Sequence, residues 1–232
     1  MRLRAAVAAL CLLAQGLHAA PSSLPSPRPD RPVAETTHRL RGPAPRLRPA
    51  RRQVPATPAA GGLCGDARLA GRALAPIRGP GSCGVANPVR LRSAAGVALT
   101  PPADIDCAAA RAVADWVETA LQPAAAAHGG ATVTRLHVAA GYACRRVNNR
   151  PSGRLSQHAR GKAIDISGFT LSDGRAVTLT TGWNGRDGAL LRQAWQGACG
   201  PFGTVLGPEA DRWHRDHFHF DTARYSSGPY CH

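Results

Sequence analysis

The chain almost lacks lysine. Lysine and arginine together number 29, yet Lys162 is the only lysine, so the formal net charge of +15 is carried by arginine. Aromatic residues make up only 5%. No basic stretch is interleaved with stacking side chains, which argues against nucleic acid as a partner. The charge points instead to anionic polymers or surfaces. No run beyond the first residues is long and apolar enough to cross a bilayer, so no membrane span is expected. No two cysteines stand at C-x-x-C spacing, which removes zinc-finger use. There is no G-x-S-x-G, so Ser156 is not placed on a nucleophile elbow and is expected only to support its own loop.

What is there begins with a leader. Met1-Arg2-Leu3-Arg4 is a short positive start, Ala5 to Leu13 is apolar, and His18-Ala19-Ala20 offers small residues before Pro21. This is the pattern of a secretory signal peptide over 1–20, so the protein is expected to be exported, periplasmic or secreted. Its removal takes away Cys11 and leaves Cys64, Cys83, Cys107, Cys144, Cys199 and Cys231. An even number of cysteines in an exported chain reads as three disulfides, of undetermined pairing. Residues 21–60 are rich in Pro, Arg, Ala and Ser, as in Arg46-Leu47-Arg48-Pro49. Proline at that density forbids helices and leaves little to bury, so a disordered linker is expected. Its basic charge gives it a possible hold on anionic envelope polymers. All six remaining cysteines fall in 61–232, which reads as one domain without internal repeats.

Within that domain, Val89-Arg90-Leu91 predicts a short strand. Asp104, after Pro101-Pro102, predicts a helix cap, and the spacing of Ala109, Val113, Trp116, Val117 and Leu121 predicts a helix over about 106–127. Strands are predicted at 132–139, 163–167 and 216–222, and a short helix at 188–198. The mixture predicts an α+β fold, with a mainly antiparallel sheet flanked by helices and stapled by disulfides.

Two segments carry the chemistry. In Ser156-Gln157-His158-Ala159-Arg160-Gly161-Lys162-Ala163-Ile164-Asp165-Ile166, strand alternation turns Ile164 and Ile166 to the core and Asp165 away from it. Gly161 is expected to let the backbone close on whatever His158 binds. In Trp213-His214-Arg215-Asp216-His217-Phe218-His219-Phe220-Asp221, the phenylalanines share one face while His217, His219 and Asp221 share the other. Histidines beside a carboxylate on one strand face need partners, and a metal supplies one. His158, Asp165 and His219 give the His/Asp donor count of an open, three-ligand Zn²⁺ site on the sheet. Zinc is preferred to manganese or iron on donor type alone.

Ser156-x-His158-x-x-Gly161-x-Ala163-x-Asp165 followed by His217-x-His219 resembles the zinc peptidase superfamily of D-Ala-D-Ala carboxypeptidases, penicillin-insensitive murein endopeptidases and the hedgehog signalling domain. The wider chain resembles the bacterial extensin-like C-terminal domain family through Gly81-Ser82-Cys83-Gly84-Val85, Gly141-Tyr142-Ala143-Cys144-Arg145, Ala163-Ile164-Asp165-Ile166-Ser167-Gly168-Phe169 and Phe202-Gly203-Thr204-Val205-Leu206-Gly207-Pro208. The resemblance implies that His158, Asp165 and His219 bind zinc, and that peptidoglycan stem peptides or cross-links are the substrate of an endopeptidase or D,D-carboxypeptidase. It offers three residues for proton transfer. Asp216 stands where carboxypeptidases place an acidic base, and His217 and His214 match the endopeptidase pattern His-x-x-His-x-His. Strand alternation favours His217. Arg145 resembles an arginine that relatives place at the substrate carbonyl or carboxylate. The inserted Cys144 leaves Arg145 and Arg146 unseparated. The rival reading is a non-catalytic wall-binding module with a structural zinc.

Overall fold

The computed structural model describes residues 61–232; the expected leader over 1–20 and linker over 21–60 lie outside them. The strands are β1 (Leu69–Ala73), β2 (Ile77–Arg78), β3 (Gly84–Val85), β4 (Pro88–Ala94), β5 (Val97–Asp106), β6 (Val133–Ala140), β7 (Ala163–Leu171), β8 (Ala176–Thr178), β9 (Thr204–Leu206), β10 (Phe218–Asp221) and β11 (Tyr230–Cys231). Nine of them form one mixed sheet, in the order β1-β4-β5-β6-β7-β10-β9-β11 with β8 on β7, and β2 and β3 form a separate ribbon. The β5–β6 and β9–β11 pairs are parallel and the other pairings antiparallel. Parallel neighbours need a crossover, and a long helix over 107–127 supplies the one between β5 and β6. Shorter helices span Leu179–Gly182 and Gly188–Gln196.

Three sequence expectations shift. Asp104 does not cap the long helix; it lies in β5, opposite Arg90 of β4, whose guanidinium meets both its oxygens at 2.7 Å. The cap is Asp106, whose Oδ1 accepts from Ala109 N–H at 2.8 Å. The strand was hidden because Pro101-Pro102 reads as a break. Leu91 pairs with Ala103 and Ser93 with Ala98, so the exposed prolines bulge out and break no ladder bond. Third, β10 begins at Phe218, so Asp216 and His217 belong to the preceding loop.

The long helix runs Cys107–Trp116, makes a π turn over Val117–Leu121, and continues as Gln122–Ala127. Pro123 explains the turn. In α geometry a proline ring clashes with the carbonyl four residues back and donates no hydrogen bond. Gln122 N–H instead reaches Val117 O, five residues back, which widens the ladder just ahead of the proline.

The core lies between this helix and the sheet. Trp116 donates its indole N–H to Ala194 O at 2.8 Å and meets Phe220 edge-on at 5.1 Å between centroids. Phe220 stacks on Phe202 and Phe218 at 5.0 and 5.5 Å. All four rings are fully buried. The six cysteines pair as Cys64–Cys107, Cys83–Cys144 and Cys199–Cys231. The expected three disulfides are thus present, with a pairing that only the fold reveals.

Candidate metal centre

Strands β7 and β10 are antiparallel, with His219 directly opposite Asp165. Opposed residues share a face, so register alone brings these two side chains together. Their neighbours Ile164, Ile166, Phe218 and Phe220 go to the core. His158 arrives from outside the sheet, on the 3-10 turn Gln157–Arg160 that leads into β7. Ser156 caps that turn, its Oγ accepting from His158 N–H at 3.3 Å. Gly161 ends it in the left-handed region at φ 67°. A Cβ on Gly161 would lie 2.7 Å from Val85 Cγ2 and 3.3 Å from Asp106 N. The glycine therefore seats the turn against β3 and the start of the long helix; the close approach is to those elements and not, as expected, to a ligand of His158.

His158 Nε2, Asp165 Oδ1 and His219 Nδ1 form a triangle with edges of 3.0, 2.8 and 3.1 Å. Each imidazole is oriented by its other nitrogen. His158 Nδ1–H donates to Gly141 O at 2.7 Å, and His219 Nε2–H donates to Asp221 Oδ2 at 3.2 Å. Those bonds leave lone pairs on the two nitrogens that face Asp165. Three acceptors within hydrogen-bond distance repel one another unless positive charge sits between them. The donor set thus fits a cation: donors each about 2.0–2.2 Å from one zinc ion stand roughly 3–3.5 Å apart.

Electrostatics agree. Burial would raise the Asp165 pKa, but His158 and His219 hold its carboxyl well below the usual carboxylate range. Burial would lower the His219 pKa, but the hydrogen bonds to Asp165 and Asp221 outweigh it and push the ring up to about 9. Both shifts run the same way: they favour positive charge beside the Asp165 carboxylate, with Asp221 adding to the pull on His219.

The other predicted residues divide. Arg145 reaches the site, its Nη2 3.5 Å from Asp165 Oδ2, whereas Arg146 turns away to the Gly153 carbonyl. His217 Nε2 stands 3.7 Å from the same Oδ2 and outside the triangle. Asp216 does not reach the triangle; its side chain is 73% exposed and accepts from His217 Nδ1–H at 2.8 Å. His214 is buried beside the other two histidines, its ring centroid 5.3 Å from that of His217 and 5.7 Å from that of His219. Burial lowers its pKa, against the pull of Asp211. A cleft of about 170 Å³ opens beside the triangle, lined among others by Arg145, Asn148, Arg154, His214, His219 and Tyr225. Sequence reasoning missed the orienting roles of Asp221 and Gly141. Asp221 was legible, since it shares the strand face of His219; a backbone carbonyl leaves no sequence signal.

Fold and site together define a class: a disulfide-stapled domain on a mixed sheet, with a buried His/Asp/His cluster where β7, β10 and a capped turn meet. The chain belongs to the family described as Extensin-like protein C-terminus, which matches residues 64–232. Neither the curated proteins nor the solved structures hold a match to it.

Proposed function

We propose that the protein is an exported zinc peptidase acting on stem peptides or cross-links of peptidoglycan, and a distant relative of the D-Ala-D-Ala carboxypeptidase and murein endopeptidase superfamily. The observation that carries the reading is the triangle itself: three converging acceptors, both imidazoles pinned by their far nitrogens, beside an open cleft. A structural zinc site is closed by a fourth protein ligand, and a catalytic one keeps a position free. Among the described residues only His158, Asp165 and His219 form such a group, and His217 does not complete it.

His158, Asp165 and His219 would hold the zinc. When bound it acidifies water toward a pKa of about 7 and polarises a carbonyl. The chain's own residues do the rest. Gly141 O and Asp221 keep the two imidazoles in the donor tautomer. Arg145, a planar guanidinium at the cleft wall, holds a substrate carbonyl or carboxylate. His214, His217 and Asp216 supply the proton-transfer candidates. Three disulfides suit an oxidising compartment, periplasmic or external. No helix among the described residues is long and apolar enough to cross a membrane. The basic segment before the domain would hold the protein near anionic envelope polymers.

The test is metal content of the oxidised full chain, beside His158→Ala and Asp165→Ala. About one zinc per chain, lost in both variants, together with altered muropeptides after incubation with purified peptidoglycan, supports the proposal. Zinc without any muropeptide change across several cross-link types would favour a wall-binding module with a structural metal. No stoichiometric metal, with disulfides intact, would sink both.

A further inference from the structure

Two Asp–His pairs flank the triangle, and they differ in what the second nitrogen meets. In the Asp216–His217 pair, Nε2 of His217 turns to Asp165 Oδ2 at 3.7 Å, a carboxylate already engaged with two histidines. Its partner Asp216 is 73% exposed, where water competes for the bond.

The Asp211–His214 pair is built differently. His214 has a side chain 9% exposed and donates Nδ1–H to Asp211 Oδ1 at 2.7 Å. That oxygen also accepts the Trp213 backbone N–H at 2.7 Å, and His214 N–H reaches Asp211 O at 3.4 Å. The turn therefore fixes Asp211 whether or not His214 is present. An ionised carboxylate only accepts, so Nδ1 carries the hydrogen and Nε2 the lone pair. Nε2 has no hydrogen-bond partner among the described residues, yet it is not sealed in: the one buried, unpartnered side-chain polar atom among them is Trp195 Nε1. The solvent it meets is that of the cleft, which Asp211, His214 and His219 line together.

The geometry points to Asp211 as a positioning residue that holds His214 in the Nδ1–H tautomer, so that His214 Nε2 accepts the proton of the attacking water. This rests on the peptidase reading. In that hydrolysis the water oxygen bonds to the peptide carbonyl carbon and one of its protons passes to Nε2. The C–N bond then breaks, and Nε2 returns the proton to the leaving nitrogen, so the imidazole ends as it began. Of the two histidines in the loop before β10, it is His214, and not His217, that lines the cleft.

The experiment uses the zinc-loaded full chain, ¹⁵N-labelled, with imidazole tautomers read from two-bond ¹H–¹⁵N correlations. The expected result is a protonated Nδ1 and a bare Nε2 at His214, a preference lost in Asp211→Ala with zinc content unchanged. In the same variant kcat on purified peptidoglycan fragments falls on the order of 10²-fold while KM stays within about twofold, and Asp211→Glu recovers part of the loss. An Nε2–H tautomer in the wild type, a tautomer unmoved by Asp211→Ala, or a larger kcat loss in Asp216→Ala would overturn the assignment. A zinc-loaded wild type that cleaves nothing would remove the peptidase reading and the proton-accepting role together, and the tautomer spectrum would still decide the Asp211–His214 pairing.

Discussion

Asp165 and His219 are placed by the sheet, His158 by a loop. For the first pair, β7–β10 register puts the side chains opposite each other, and the phenylalanines behind β10 lock that register into the core. A one-residue slip of β10 would send His219 to the wrong face and part it from Asp165, so the core that stabilises the fold also fixes two-thirds of the site. His158 has no such backing. Its position depends on a serine cap, a left-handed glycine seated against Val85 and a hydrogen bond to Gly141. The segment between Gly141 and His158 also carries Arg145, and the Cys83–Cys144 disulfide ties it to the β2–β3 region. A ligand on a sheet is held by the whole fold, and one on a turn only by what is built around it.

That contrast can be broken at its strong side first. Phe220→Ala should cost about 3–5 kcal/mol in urea unfolding, and the surviving fold should bind metal poorly. A loss below about 1 kcal/mol would mean the core does not lock β10. Next, Cys83→Ser with Cys144→Ser should cost about 2–4 kcal/mol. Far-UV circular dichroism should keep the sheet signal while zinc affinity falls; equal affinity in the double variant would show that the His158 side needs no staple. The smallest change is Gly161→Ala, expected to cost about 1–2 kcal/mol from the left-handed backbone alone. Its contact with Val85 should loosen the turn, seen as weaker zinc binding with an unchanged environment around Phe220 by NMR.

The same division decides what the sequence could tell. The donors on β7 and β10 were legible because alternation is local: Phe218 and Phe220 against His219 and Asp221 is a two-residue period that needs no tertiary knowledge. The long helix was legible for the same reason. Its cap was not, because Asp104 and Asp106 are equally good caps on paper and only the Arg90 pairing across β4 claims one of them for the sheet. Strand β5 was lost because a bulge excuses its prolines, and bulges depend on the partner strand. Arg145 and Arg146 were inseparable because a loop, not a period, aims them. Disulfide pairing and the Gly141 carbonyl belong wholly to the tertiary fold.

The π turn at Val117–Leu121 has a consequence for how such a chain can change over generations. A π turn holds one residue more than an α helix needs to cover the same length. Deleting one residue there, with Pro123 replaced as well, would leave both helix ends nearly where they stand. The slack lies after Trp116, the residue that donates to Ala194 O and presses on Phe220. Inheritance can thus drop that one residue, together with the proline, while the stretch from Asp106 to Trp116, which backs the histidine strand, keeps its count.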